Sequence, residues 1–510
     1  MDRGPIDLRL VPAALTAWAA TAAGIAWGLG PVIAALCAAA GGGWALAARV
    51  LGDRHPLLRA AGVGVAAVAL IGCGYGLAAG LRSDAVDRHP VAQRFGSTDW
   101  VTVIPAEGAR MVGTGRLMFR GELARLGGAE MGGDEMGGAV AVFATGPDFG
   151  RLVPGQPVRF RARLAKPARR DLSVAVLTAV GRPEFGSVPA VQRVAQSIRE
   201  GFAAVCRTVL PPGQAAMLPG LVLGDTSAVA AATTQEFRTA GLSHLTAVSG
   251  ANVSIVCGAV LLCARFVGPR PAVGLAAVAL MAFVVVVQPG ASVLRAAVMG
   301  GIGLLAMLSS RRRQAIPVLS ATVLGLLSVV PQLAVDVGFA LSVAATAALV
   351  VLAPIWSGRL VARGWPKPVA DALCIALAAQ WATAPLIAAI SGRLSLVSVI
   401  ANLAVAVVIP PITLLGTAAA VLAPVWPAGA GLLIRFTGPE VWWLLHAAHL
   451  AAAVPGAAIA VPDGWAGLGT LGCAGLAGVL LWRHRWFRLA AAGAGLMALA
   501  WSVSGIVGAS

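Results

Sequence analysis

The amino-acid sequence predicts an all-α, polytopic membrane protein that carries one inserted domain of β-strands outside the membrane. Of its 510 residues, 58% are hydrophobic and 12% are charged, whereas an ordinary soluble protein carries about 25% charged residues. Apolar runs of about 20 residues, the length that crosses a bilayer as a helix, recur along most of the chain. Residues 84–186 break this pattern with short alternating segments between Gly and Pro turns.

The N-terminal region, residues 1–83, is predicted to hold three transmembrane helices. The apolar runs cover about 10–29, 31–48 and 60–81. Basic residues lie before the first run and between the second and the third: Arg3, Arg9, Arg49, Arg54 and Arg59. Because cytoplasmic loops are enriched in Lys and Arg, we expect the N-terminus in the cytoplasm and residue 82 at the outer face. Only Gly30-Pro31 separates the first two runs, so we expect no cleavable signal peptide.

The inserted domain, residues 84–186, is predicted to be extracytoplasmic and to form a small β-barrel. After the turn Pro154-Gly155, the segment 158–164 alternates strictly between apolar residues and arginines, which predicts a strand with an apolar and a basic face. Further strands are predicted near 99–104, 111–123, 139–145 and 172–180. Five short strands in about 100 residues are typical of an OB-fold-like barrel.

Residues 187–241 are predicted to form amphipathic helices that lie on the membrane surface. Val191, Val194, Ile198 and Phe202 recur at helical spacing beside arginines. The prolines of Pro211-Pro212-Gly213 are expected to interrupt the helical pattern at that point.

Apolar runs return after residue 242, and their flanking charges agree with the predicted orientation. Within 242–425 they cover about 243–264, 272–288, 290–308, 315–330, 337–356, 368–390 and 394–424. Alternate loops between them are basic and contain Arg265 with Arg270, then Arg311 to Arg313, then Arg359, Arg363 and Lys367. Residues 426–510 add runs near 430–453, 464–482 and 488–507. The expected total is roughly 12 or 13 transmembrane helices. Basic loops that orient the chain in the membrane explain part of the net charge of +17. The alternative explanation of this charge is a surface that attracts a polyanion.

Four polar residues in or directly beside predicted membrane runs are candidates for function: Arg295, Asp336, Gln380 and Asn402. A lone Arg in the bilayer costs roughly 3 kcal/mol or more, so Arg295 needs a partner, water or a polyanion. A salt bridge or snorkelling is the structural alternative for Arg295, and helix–helix hydrogen bonding is the alternative for Gln380 and Asn402.

The densest polar cluster opens the run at 243–264. It contains Ser243, His244, Thr246, Ser249, Gly250 and Asn252. Non-helical backbone at membrane depth survives only where protein buries it or where it lines water. The cluster therefore predicts an interrupted helix beside a cavity.

Motifs along residues 200–425 resemble the ComEC family of competence proteins. In order, they are Leu221–Asp225, Phe237-Arg238, Gly241–Leu245, Ala247–Gly250, Ser292–Ala296 with Met299, Asp336–Ser342 before Ala344–Thr346, Ala379–Thr383 before Pro385, and Asn402 before Pro410. The N-terminal helices followed by an outside β-domain also resemble the family's layout. The resemblance implies that 242–425 is the competence channel domain and that single-stranded DNA crosses the bacterial cytoplasmic membrane through it during natural transformation.

Two departures from the family pattern are visible. Asn252 stands where the family usually has His. Many members end in a metallo-β-lactamase-like nuclease domain, and this sequence has no HxHxDH cluster of that domain. We therefore expect a form without the nuclease, with no enzymatic activity, no metal and no cofactor.

The resemblance places six residues along the DNA path: His244, Ser249, Asn252, Arg295, Gln380 and Asn402. Asp225, Arg238 and Asp336 are expected at the pore mouth or in structural roles. A basic cluster of the β-domain is a candidate DNA-binding surface and contains Arg159, Arg161, Arg163, Lys166, Arg169 and Arg170. A solvated strand face or contact with anionic lipid heads would explain the same cluster.

The expected partners follow from what the sequence lacks. It has no GxxxxGK[ST] loop, so a separate motor must supply energy. The resemblance implies a cytoplasmic helicase or translocase and an extracytoplasmic DNA receptor, and leaves room for a separately encoded nuclease. Two rival functions stay open. One is a secondary transporter of a small solute or ion; the other is a membrane hydrolase that uses Ser249 or His244, for which no orienting acid is visible.

Overall fold

The computed structural model describes residues 7–51, 56–112, 115–127, 134–246, 248–288, 290–308, 315–481 and 484. The chain forms two compact units. Unit 1 contains residues 1–197 and 281–340, and unit 2 contains residues 198–280 and 341–510. Each unit is therefore built from two separate stretches of the chain.

Unit 1 begins with three helices, α1 (Val11–Trp27), α2 (Gly30–Leu51) and α3 (Pro56–Asp87). Small residues bring α2 and α3 close together, since a Cβ added at Gly30 would lie 2.5 Å from the carbonyl oxygen of Gly76. Such contacts are typical of helices that associate in lipid, where close backbone packing replaces the hydrophobic effect. The three predicted N-terminal helices are confirmed as helices.

Residues 98–185 form a closed barrel of five main strands, as predicted. The strands are β1 (Thr98–Pro105), β2 (Arg110–Met111), β3 (Arg116–Leu126), β4 (Asp134–Glu135), β5 (Ala139–Thr145), β6 (Val158–Ala165) and β7 (Ala175–Phe185). The order is β1-β6-β7-β5-β3, and β3 pairs back onto β1 to close the barrel. Strands β5 and β7 are parallel, whereas the other pairs are antiparallel. The short β2 and β4 pair only with β3.

The barrel interior is filled by the apolar residues that the alternation of β6 predicts. Phe160 is 0% exposed, whereas Arg161 and Arg163 on either side of Ala162 point outward. The Phe160 ring meets Phe119 and Phe149 edge-on, with ring centroids 6.5 and 5.5 Å apart. Edge-to-face contacts of this kind add to the stabilisation from burial.

Three helices connect the barrel to the remaining chain: α4 (Ala190–Val209), α5 (Pro212–Leu223) and α6 (Ala231–Thr239). The first is strongly amphipathic, with Ala195, Phe202 and Cys206 buried and Val191 and Val194 exposed. Pro211 follows α4 and is the N-cap of α5, so the predicted break is confirmed.

Cys206 offers a test of this packing. Burial raises the pKa of its thiol to about 12, and the neighbouring Arg207 only partly opposes that shift. Because the thiolate is the reactive form and an exposed cysteine ionises near pH ~8.5, we expect Cys206 to be alkylated far more slowly than an exposed thiol at pH ~8.5. Iodoacetamide labelling followed by peptide mass spectrometry, with an Ala228→Cys variant as the exposed reference, measures this. The rate at Cys206 should climb with pH well beyond the point where the reference levels off; equal rates at pH ~8.5 would contradict the buried position.

Ten further helices make up the rest of the described chain. They are α7 (Gly250–Cys263), α8 (Pro269–Val287), α9 (Ala291–Leu308), α10 (Ala315–Val329), α11 (Val337–Val361), α12 (Lys367–Ser391), α13 (Ser398–Val405), α14 (Ile409–Leu422), α15 (Pro427–Ala453) and α16 (Gly464–Leu481). A two-stranded ribbon pairs β8 (Arg393–Ser395) with β9 (Ala458–Ala460). The unit boundaries fall inside α4, α8 and α11.

Six helical segments in the described part are long and apolar enough to cross a membrane, or seven if the bent pair α13–α14 counts as one span. Three shorter apolar helices accompany them. This is fewer than the 12 or 13 predicted, because several apolar runs form helices shorter than a full span and α15 carries charged residues such as Arg435 and Glu440. The predicted crossing at 488–507 and the basic residues Arg3, Arg54 and Arg311 to Arg313 lie outside the described residues.

Candidate functional site

Two interrupted helices lie within unit 2. In the first, a 3-10 turn over Ser243–Leu245 stands apart from α7, which starts only at Gly250. This confirms the interruption that the polar cluster predicts. In the second, α13 and α14 are separated by a short break and bent by 54° relative to each other. Both lie in apolar stretches of the chain.

The chain before the first interruption contacts the start of α13, the first half of the second interrupted helix. Gly241, directly before the first one, has a φ of +74°, and a Cβ added there would lie 2.5 Å from the Cβ of Ser398, the first residue of α13. Further along, Gly416 of α14 packs against the side chain of Val222 in α5. Glycine is required at Gly241 both by its left-handed backbone and by the close approach.

Asn252 joins the start of α7 to the end of α5. Its side chain is 5% exposed. Its Nδ2 donates a hydrogen bond to the carbonyl oxygen of Leu221 at 3.0 Å, and the Ser249 Oγ donates to its Oδ1 at 3.2 Å. A buried amide with partners on both ends holds the backbone around the interruption in place. Asn252 therefore has a hydrogen-bonding role.

A second polar network surrounds the start of α13. The Ser398 Oγ donates to Oε1 of Gln380 in α12 at 2.9 Å, and Nε2 of Gln380 donates to the carbonyl oxygen of Ser395 at 3.3 Å. Asn402 Nδ2 donates to the carbonyl oxygen of Ser398 at 2.8 Å. Gln380 and Asn402 are thus brought together through Ser398, which the sequence analysis missed. The sequence feature that could have identified Ser398 is its position in an apolar segment, one helical turn before Asn402.

The remaining candidate residues of unit 2 lie within the first interruption or precede it in the sequence. His244 is exposed within the 3-10 turn, and Arg238 is exposed in the last turn of α6. Asp225 follows α5 and accepts hydrogen bonds from the backbone N–H and the Oγ of Ser227 at 3.1 and 2.7 Å. Burial lowers the pKa of the Arg199 guanidinium, and the negative charge of Asp225 opposes this.

Arg295 and Asp336 belong to unit 1. Arg295 lies on α9 and is 7% exposed, with its Nη1 3.1 Å from the Sδ of Met299 one turn further on. Asp336 precedes α11, and its Oδ1 accepts a hydrogen bond from the backbone N–H of Phe339 at 2.7 Å. Its Oδ2 lies 3.9 Å from Nη1 of Arg120 on β3. Asp336 thus caps a helix and ties the barrel to the turn before α11.

The basic cluster of the barrel divides into two parts. Arg159, Arg161 and Arg163 lie on the outer face of β6. Lys166, Arg169 and Arg170 are exposed in the following loop, where Nη1 of Arg170 comes close to Gly28 at the C-terminal end of α1. A cation is favoured there by the helix dipole. The sequence analysis missed Trp100, whose indole lies under the Arg159 guanidinium at 4.7 Å.

Comparison with protein families matched residues 221–486, just over half of the 510-residue chain, to the family described as Competence protein. The match contains both interrupted helices and all nine residues predicted along the DNA path or at its mouth. Searches of curated proteins and of solved structures gave no significant match. The family and the apolar helices together indicate a multi-pass membrane protein with a role in competence. The resemblance in the motifs is thereby confirmed: this chain belongs to the competence protein family.

Proposed function

We propose that the chain conducts single-stranded DNA across the bacterial cytoplasmic membrane during natural transformation, and that it does so without catalysing a reaction. The observation that carries this proposal is the contact between two interrupted helices at Gly241 and Ser398. Non-helical backbone at membrane depth is buried in protein or lines water, and discontinuous helices form the substrate sites of many transporters. A strand of phosphates needs such a wet path.

In this proposal the polar residues divide into two groups. Asn252, Gln380 and Asn402 form hydrogen bonds that fix the chain near the interruptions, and in this proposal they shape the path. His244 is exposed in the 3-10 turn and faces the passing strand. Arg295, a buried cation on an apolar helix, attracts the phosphates.

The proposed arrangement sets the N-terminus in the cytoplasm and the barrel outside. The barrel is OB-fold-like, which is supported by its five-stranded closure with a single parallel pair, β5 and β7. The proposed partners are an extracytoplasmic DNA receptor and a cytoplasmic helicase or translocase that pulls the strand inward. A separate nuclease degrades the other strand of the incoming DNA.

Strand entry into vesicles tests the proposal. Purified protein is inserted into lipid vesicles, and a labelled single strand is scored as entered when added nuclease no longer degrades it. A proton gradient and then an enclosed motor supply the driving force in turn. We expect entry by the wild type and a loss of about tenfold or more for Arg295→Ala, the effect of one phosphate contact worth about 1.4 kcal/mol. Arg265→Ala is the matched control, since Arg265 lies beyond α7 with its guanidinium over Phe266 at 4.5 Å.

Equal loss in both arginine variants would remove Arg295 from the path, and no entry by correctly inserted protein under any driving force would reject the channel.

A secondary transporter is the second candidate, because paired broken helices are also the architecture of solute sites. A solute-driven current in vesicles without DNA would favour it. The hydrolase is less well supported, since the Ser249 Oγ donates its hydrogen bond to Asn252.

A further inference from the structure

We propose that the outer face of β1 and β6 binds the single strand before it enters the membrane, with a base stacked on Trp100 and phosphates held by Arg161 and Arg163. The inference rests on the proposed DNA transport and names the residues of its outer binding surface. Trp100 is the member that the charge pattern alone does not reveal.

The strand register assembles this surface. Trp100 of β1 lies directly opposite Arg161 of β6, and Thr98 lies opposite Arg163. Directly opposed residues of neighbouring strands point to the same face and lie within reach of each other. Their neighbours Val101 and Phe160 point inward and are buried. The indole and the two arginines therefore share the outer face of the barrel.

Arg159 has a different role from its two neighbours. Its guanidinium lies 4.7 Å from the centre of the Trp100 ring and its Nη1 lies 3.6 Å from the Glu184 carboxylate. This pair of contacts orients the indole and neutralises the charge of Arg159. Arg161 and Arg163 are exposed and form no ion pair within the part of the chain that the structure describes, so their charges are available to phosphates.

The neighbouring face of the barrel, formed by β3 and β5, differs in its charge pairing. In OB-fold barrels the second and third strands carry the usual nucleic-acid face, and here these are β3 and β5. Arg120 on the outside of β3 lies 3.9 Å from Asp336. Its cross-strand neighbour Ala141 points outward yet is only 8% exposed. Arg120 is thus paired within unit 1, whereas Arg161 and Arg163 of β6 keep their charges for phosphates.

The spacing of the cations suits an extended single strand. Arg161 and Arg163 are two residues apart, so their side chains leave β6 about 7 Å apart. Each guanidinium can then hold one of two neighbouring phosphates of a single strand. Proteins that bind single strands combine such cations with aromatic rings on which bases stack. An anionic lipid surface could also engage the arginines and the indole, so the test uses neutral lipid and compares strands with and without bases.

Binding by the full chain in nanodiscs of neutral lipid tests the inference, with an oligothymidine of about 15 nucleotides and an abasic strand of the same length as probes. Wild type should bind the oligothymidine more tightly than the abasic strand. Trp100→Leu should weaken oligothymidine binding by roughly 5- to 150-fold and bind both strands equally, whereas Trp100→Phe should restore the preference. Arg161→Gln with Arg163→Gln should weaken both strands and lower the salt slope by about 1.4. Arg182→Gln, on exposed β7 beside Asp148, is the matched control.

Three outcomes would overturn the inference. They are unchanged oligothymidine binding in Trp100→Leu, no preference of the wild type over the abasic strand, and unchanged oligothymidine binding in the arginine double variant. The arginine variant keeps the test decisive if Trp100→Leu fails to fold. Strand entry into vesicles, measured on the same preparations, separates the two proposals. Entry without Trp100-dependent binding would overturn this inference alone, and Trp100-dependent binding without entry would overturn the channel alone.

Discussion

Replacing Gly241 with alanine is expected to abolish strand entry and to destabilise unit 2. An L-residue in the left-handed region costs about 1–2 kcal/mol. The added Cβ would also lie 2.5 Å from the Cβ of Ser398, a contact that real Cβ atoms do not make. Overpacking of this kind costs about 1–3 kcal/mol more. Since the backbone must shift to relieve the clash, the contact between the two interrupted helices should be lost.

Thermal unfolding of the purified protein and strand entry into vesicles measure this effect. Gly258→Ala is the matched control, because Gly258 lies inside α7 and a Cβ there meets no atom within 4 Å. It should unfold at or slightly above the wild-type temperature, since alanine favours a helix. Adding Ser398→Gly to Gly241→Ala should recover part of the loss by removing the clash but not the backbone strain. Wild-type behaviour of Gly241→Ala would show that the interruptions do not depend on this contact.

The second large effect is expected from Phe160→Ala in the barrel. Removing a fully buried phenylalanine typically costs about 3–5 kcal/mol, and here it also deletes the ring contacts with Phe119 and Phe149. A domain of this size is stabilised by only about 5–15 kcal/mol. We therefore expect the barrel to open while the helices of the chain stay folded.

Hydrogen exchange over residues 98–185, compared with exchange in the helices, follows the barrel by itself. Phe185→Ala serves as the control, because Phe185 is 41% exposed at the end of β7. Phe160→Ala should raise exchange across all five main strands and remove oligothymidine binding. A rise confined to β6 would mean that the barrel core tolerates the cavity.

Local patterns predicted much of this architecture. Alternation in 158–164 located β6 and its inward-facing Phe160, because a strand repeats every two residues. The density of Ser, His, Thr and Asn in an apolar run located the first interruption. Both signals lie within a few neighbouring residues, which is why the sequence alone reveals them.

Contacts between distant parts of the chain were not predictable. Trp100 and Arg159 meet only because the barrel closes with β1 beside β6. The hydrogen-bonding role of Ser398 is seen only in the folded chain, where α12 and α13 place Gln380 and Asn402 beside it. The number of spans stays a prediction, since the described residues hold six or seven helices of full spanning length and three shorter apolar ones. The roles of Arg295, His244 and the other path residues stay predictions.

The interleaving of the two units bears on the order in which the protein is made. The first stretch of unit 2 ends at residue 280, and its second stretch starts only at residue 341. Gly241 therefore leaves the ribosome 157 residues before Ser398 (398 minus 241), the residue that it packs against. At about 5–20 residues per second, this partner arrives roughly 10–30 s later. The two interrupted helices are thus joined only after the second stretch of unit 1 has been synthesised, and the proposed path cannot form before Ser398 has left the ribosome.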